Sequence, residues 1–279
     1  MGKQSKWSEE KIQRLKASGR GKGKGPTYQP WIEVADFSSR GNSRRVFSHK
    51  TSRVHHLFSD VEWHLFLLLE YAPSVIDIRE QYPLDREDTI AIAAELSIRH
   101  PTYRGTTIPE VMTCDFIVTY QQTNEPRLVA FNCKRTEEAE EARSIEKLEI
   151  QRTYFNGCGI AHHLVFHSML PMTKIRNIEW IRSAHLRQDE LEPYDGYYQE
   201  HAERLASELA HNQLMCSLSE FCEGYDTRCG AHPGTGLRAV RMLLSQGKLA
   251  ADLNEPNIAA APVSVIYPVK QGLLIAGGQ

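Results

Sequence analysis

No run of 18 apolar residues occurs in the 279-residue sequence, and Leu65 to Leu69 falls far short of the roughly 20 that a membrane-crossing helix needs. The amino terminus lacks the apolar core of a signal peptide. These absences predict a soluble, cytoplasmic chain with no membrane partner. CxxC pairs are missing too. Cys114, Cys133, Cys158, Cys216, Cys222 and Cys229 are scattered, which predicts reduced thiols rather than a disulfide framework. The Cx5Cx6CxxH series ending at His232 fits no common zinc finger. Without GxSxG, and without GxGxxG after a strand, serine hydrolase and dinucleotide-binding classes find no support. The glycine run from Gly19 to Gly25 is not a nucleotide P-loop, because no Ser or Thr follows Lys22 or Lys24 and no apolar strand precedes it.

Net charge is small, at -2, but unevenly spread. Residues 1–56 hold 13 Lys and Arg against 4 Asp and Glu, so a basic head precedes an acidic body. The interleaved Gly, Lys and Arg of the head, followed by Tyr28 and Trp31, read either as a phosphate-tracking segment or as a solvated tail.

Periodicity and capping signals predict a helix from Ser8 to Ala17, then an extended basic region to about Arg53. A second helix begins at the capping signal Ser59-Asp60-Val61-Glu62 and ends before Pro73. Val75 to Arg79 reads as a strand, Thr89 to Arg99 as helix or mixed, and residues 115 to 134 as a hairpin. Glu137 to Phe155 reads as one helix whose acidic start is a solvated face, and Ala161 to His167 as a strand with His162, His163 and His167 in packing roles. The expected class is α/β, a small mixed sheet with helices on both faces. After Met169 the pattern turns helical, with segments at Lys174 to Ser183, Tyr194 to Asn212, Ser217 to Glu223 and Thr235 to Gln246, then strand-like pieces at Ser264 to Tyr267 and Leu273 to Ile275. That order is compatible with a winged helix. The predicted division is a basic region at 1–56, a core at 57–168 and a C-terminal domain at 169–279.

The hairpin carries the chemistry. Asp115 opens its first strand, and Asn132 and Lys134 follow 17 and 19 residues later on one face of the second. A carboxylate, an amide oxygen and the carbonyl of Cys133 together suit a hard divalent cation, with Lys134 beside an attacking water and Glu62 bringing a second carboxylate. Such a set serves phosphodiester hydrolysis. The same residue types also occur in ordinary surface hairpins.

The segment from Ser48 to Glu62, SHKTSRVHHLFSDVE, resembles the signature of the TnsA family, endonuclease subunits of heteromeric bacterial transposases. The likeness extends through Gly19-Arg20-Gly21, Tyr28-Gln29-Pro30-Trp31, Asp77 to Leu84, Thr113 to Phe116 and Glu146 to Glu149. It implies a restriction-endonuclease-like core followed by a winged-helix domain. It implies Glu62, Asp115 and Lys134 as catalytic residues, with Mg²⁺ as cofactor and Mn²⁺ able to substitute. Asn132 stands where the family usually has Gln, and a further acid falls near Glu149 and Gln151. Ser52 replaces a common Gly.

The implied function is cleavage of the 5′, non-transferred strand of double-stranded DNA at transposon ends, alongside the DDE transposase TnsB and the AAA+ regulator TnsC in a bacterial cytoplasm. Glu62, Asp115, Asn132 and Cys133 are the expected metal ligands. Arg20, Lys22, Lys24, Arg44, Arg45, Lys50, Arg53 and His55 are the expected DNA contacts. A free-standing restriction or repair nuclease, and a catalytically silent DNA-binding adaptor, remain alternatives.

Overall fold

The computed structural model describes residues 7–36, 42–123, 125–186, 190–210 and 215–269. Contacts divide the chain into two compact units, Met1–Leu170 and Pro171–Gln279.

The first unit is built on a four-stranded sheet in the order β3-β4-β5-β6, comprising β3 (Val75–Pro83), β4 (Thr113–Tyr120), β5 (Arg127–Lys134) and β6 (Ala161–Phe166). The first two pairings are antiparallel and the last parallel, so the sheet is mixed. The parallel step needs a crossover, supplied by α4 (Thr136–Ala139) and α5 (Ala142–Gly157). The single helix expected over Glu137 to Phe155 is therefore two, broken at Glu140 and Glu141. Between β3 and β4 lies α3 (Arg86–Glu95), capped by Asp85, which accepts from the N–H groups of Glu87 and Asp88. That cap sets the helix start three residues ahead of the expected Thr89. Leu84, Ala93, Met112, Cys114, Ile117, Ala130, Ile150 and Phe155 form one core, joining α3 and α5 to the sheet. Outside that cluster α2 (Asp60–Tyr71) packs against β3 and β5.

The head is folded rather than extended. After α1 (Glu9–Ala17), which Ser8 caps, a hairpin of β1 (Arg44–Ser48) and β2 (Arg53–Leu57) replaces the open basic region. The glycine run is a closed loop, with Gly21 N–H donating to the Gln29 carbonyl and Gln29 N–H to that of Lys22. Gly21 has φ +78, and a Cβ there would meet Pro83 Cγ at 2.2 Å, so glycine is required by packing against β3. A solvated tail does not describe this segment, which is a folded loop with Lys22 and Lys24 exposed on it. Ile12, Trp31, Tyr103 and Val111 form its core, with Trp7 stacked on Tyr103 at 4.1 Å.

In the second unit α6 (Met172–Arg182), α7 (Tyr197–Ala210), α8 (Leu218–Cys229) and α9 (Thr235–Ser245) precede a two-stranded antiparallel ribbon of β7 (Leu249–Ala251) and β8 (Ile266–Pro268). The capping box of Ser217 and Glu220 starts α8, which runs six residues past the expected Glu223 and is stopped by the left-handed Gly230. The strand expected at Leu273 to Ile275 lies outside the described residues. Among the described residues no helix is long and apolar enough to cross a membrane.

Candidate active site

Ser59 caps α2, and its Oγ accepts from Glu62 N–H at 3.2 Å while its hydroxyl donates back to Glu62 Oε1 at 3.0 Å. Phe58 N–H donates to Glu62 Oε2 at 2.9 Å. The local capping chemistry thus fixes the carboxylate in place. It is buried, 5% exposed, and its pKa rises to about 8 through burial and through the nearby charge of Asp115, against the pull of these hydrogen bonds and of Lys134.

Asp115 sits on β4 and accepts a 2.7 Å hydrogen bond from Cys133 N–H through Oδ2. The β4–β5 register, Phe116 opposite Phe131, extends by one step to set Asp115 beside Asn132. Lys134 ends β5, half-buried and within electrostatic reach of Glu62 and of Cys133. The thiol of Cys133 is pushed well up by burial and then by the Asp115 and Glu62 charges, so it stays protonated and leaves Cys133 only its backbone groups for the chemistry. Glu62, Asp115, Cys133 and Lys134 therefore converge. Two facing carboxylates, Glu62 buried and Asp115 half-buried, with no arginine paired to either among the described residues, suit a hard, oxygen-preferring cation such as Mg²⁺.

Asn132 requires a correction. Its Oδ1 lies 2.7 Å from His162 Nε2 and accepts from Cys114 Sγ at 3.6 Å, so its oxygen is engaged in a buried network joining β4, β5 and β6 rather than offered to a metal. Glu149 is likewise turned away, held by Arg152 at 2.8 and 2.5 Å, and the pair keeps its carboxyl below the ordinary range. The inward position on α5 is Gln151, buried, with Nε2 donating to the Thr113 carbonyl at 2.8 Å. The helical period explains the exchange, since residues two apart on a helix face different ways.

Several expected DNA contacts are internal. Arg53 forks onto Glu80 at 2.8 and 2.5 Å and donates to the Ile78 carbonyl at 2.7 Å. His55 is fully buried; its Nε2 meets Thr51 Oγ1 at 2.7 Å, and its Nδ1 lies 2.7 Å from Glu80 Oε2 without hydrogen-bond alignment. Burial alone raises the Glu80 carboxyl, but His55 and Arg53 outweigh it and carry the pKa down to about 2. Lys50 Nζ donates to the carbonyls of Ala72 and Val75, and burial lowers its pKa to about 8. Arg20 pairs with Glu33 and Asp36, and Arg44 with Asp60 at 2.6 Å. Lys22, Lys24 and Arg45 are exposed. Sequence reasoning missed the burial because a strand-edge arginine and a free one look alike; the acid at Glu80, inside the Asp77 to Leu84 motif, was the available signal.

Residues 72–167 match the family model described as TnsA-like endonuclease N terminal, and residues 170–253 match TnsA endonuclease C terminal. Asp115, Cys133 and Lys134 fall inside the first match, whereas Glu62 precedes it. The chain is also 40% identical over 179 residues to the Escherichia coli protein "Transposon Tn7 transposition protein TnsA", an alignment covering 64% of this chain and 64% of that relative. The mixed sheet and its flanking helices fit this assignment. Matched in both of its units, the chain belongs to the TnsA-like endonuclease family.

Proposed function

We propose that the protein is the metal-dependent DNA endonuclease of a Tn7-like transposase, with a restriction-endonuclease-like core, hydrolysing the 5′ strand at transposon ends. The observation that carries the reading is the buried carboxylate of Glu62 set against that of half-buried Asp115, with Lys134 beside them as the cation. Mg²⁺, or Mn²⁺ in its place, would be held by Glu62, Asp115 and the Cys133 carbonyl, and would supply charge neutralisation at the scissile phosphate. Lys134 orients the attacking water and lends positive charge to the phosphate oxygens. Cys133 N–H, by holding Asp115 Oδ2, leaves Oδ1 directed to its task.

The second unit is proposed as a winged helix that docks the regulator TnsC while TnsB cuts and joins the other strand. Its supporting feature is α9, whose polar face is spent within the unit: Arg241 donates to the Trp180 carbonyl, Arg238 to that of Ala184 and to Glu190, and Ser245 meets His185. With α6 laid along that face, α9 is unavailable to enter a major groove, which favours a protein partner.

The test is strand-specific cleavage of labelled transposon-end DNA by this protein with its TnsB in Mg²⁺ or Mn²⁺. Asp115→Ala should lose the 5′-strand cut alone; identical products from variant and wild type would overturn the assignment. A second reading, the silent adaptor, draws on the internal engagement of Asn132 and Glu149. Calorimetry separates the two, because an adaptor shows no Mn²⁺ binding that disappears in Asp115→Ala.

A further inference from the structure

Gln81 is a buried residue inside β3 with a left-handed backbone, φ +47, a conformation that side chains bearing a Cβ rarely adopt within a strand. The β3–β4 register pairs Glu80 with Phe116 and Tyr82 with Cys114, which sets Gln81 directly opposite Asp115. Carbonyls of a regular strand alternate between its two edges. Here they do not. The Ile78 carbonyl accepts from Arg53 and that of Glu80 from the Tyr28 hydroxyl, so both face the head; by alternation the Gln81 carbonyl belongs to the β4 ladder at Asp115. Instead it accepts from Trp31 N–H at 3.1 Å, on the head side. The left-handed turn has flipped this peptide and withdrawn a ladder partner from Asp115.

The Gln81 side chain adds a second constraint. Its Oε1 accepts from the Thr113 hydroxyl at 3.2 Å, and the Thr113 carbonyl accepts from Gln151. The start of β4, two residues before Asp115, is thus gripped from β3 and from α5.

We propose that Gln81 is a positioning residue for Asp115, its left-handed backbone freeing the β4 peptide at Asp115 from regular pairing so that the carboxylate reaches its metal-binding position. The proposal rests on the reading of Asp115 as a metal-binding acid. Paying local strain to aim a ligand is a recurrent property of functional sites.

The experiment compares full-length wild type, Gln81→Gly, Gln81→Ala, Gln81→Asn and Asp115→Ala by Mn²⁺ calorimetry, with melting temperature alongside. Gly and Ala both remove the Thr113 contact, and they differ in their tolerance of positive φ. Ala should weaken Mn²⁺ binding by about tenfold, the scale of a lost supporting interaction at a metal site. Gly and Asn, which accept the left-handed region, should hold it closer to wild type. A role confined to strand stability would lower the melting temperature of the Ala variant and leave its metal affinity alone, and that result overturns the proposal. Equal affinities for Gly and Ala overturn it as well; where the Ala variant does not fold, an Asn variant that loses the affinity Gly keeps overturns it instead. Mn²⁺ binding that persists in Asp115→Ala defeats the reading of the site itself, an outcome distinguishable from failure of the Gln81 argument because it appears without any change at residue 81.

Discussion

Two buried glutamates in the first unit, Glu62 on α2 and Glu80 on β3, share the cost of burial and differ in what answers it. Burial raises the carboxyl pKa of both. At Glu80 the Arg53 fork and His55 more than cancel that cost, and the pKa falls to about 2. At Glu62 the next influence is Asp115, another acid, and the pKa climbs to about 8. A carboxylate surrounded by cations is finished as a piece of structure; one that faces a second carboxylate is short of positive charge. The contrast singles out the proposed reactive centre, and it tells which glutamate to mutate for which effect.

The largest effect belongs to the compensated cluster. Arg53→Ala leaves Glu80 charged, buried and without its fork, and should cost about 3–5 kcal/mol in urea unfolding. A cost below about 1 kcal/mol would mean that the pair is not the anchor of the β2–β3 junction. Glu62→Gln should do the reverse. It spares the folded protein the cost of protonating a buried acid beside Asp115, so stability holds or rises, while cleavage falls by at least about a hundredfold, as when one charge-stabilising group is removed from an active site. Loss of stability together with activity would reduce Glu62 to a helix cap.

The same contrast has a pH signature. In metal-free protein Glu62 stays protonated when folded and ionises when unfolded, between the ordinary glutamate value and about 8, so its contribution to stability falls as pH rises through that window. Glu80 has a depressed pKa and behaves oppositely: its contribution is present above the ordinary value and is lost as pH falls towards about 2. Thermal unfolding of wild type against Glu62→Gln should therefore diverge in slope between about pH 5 and 8 and run parallel below. Parallel curves throughout would place Glu62 in a more polar setting than its burial indicates.

Much of this was legible in the sequence wherever a local rule fixed the outcome. Ser59 and Glu62 announced the start of α2, and the strands around residues 115–134 followed from alternation and a polar turn. Asp115 and Lys134 were readable because a hairpin converts sequence spacing into proximity. The fate of Asn132 was not, since His162 reaches it from β6, 30 residues later and through a parallel pairing that no local pattern specifies. The hairpin β1–β2 was hidden by its charge: Arg44, Arg45 and Arg53 read as an open basic segment until Asp60 and Glu80, far along the chain, neutralise two of them. Gln81 gave no signal at all, because glutamine carries no preference for the left-handed region.

The smallest effects concern the basic head, where the comparison between used and unused charge recurs. Lys22, Lys24 and Arg45 are exposed, whereas Lys50 ties the end of α2 to β3 through two carbonyls and Arg20 is held by Glu33 and Asp36. A cation held by groups of its own protein does not reach a phosphate and displaces none of the counterions condensed on the DNA, so its removal leaves the salt dependence of binding unchanged. Each of Lys22→Ala, Lys24→Ala and Arg45→Ala should weaken DNA binding modestly and lower the slope of log affinity against log salt by about 0.9. Lys50→Ala should leave that slope intact and instead cost about 1 kcal/mol of stability by removing its bonds to the Val75 carbonyl and to that of Ala72, which keeps Val75 N–H as a donor. If Lys50→Ala shifts the slope and Lys22→Ala does not, the DNA path crosses the hairpin side of the unit, and the side chain of Lys50 must leave its carbonyls to bind.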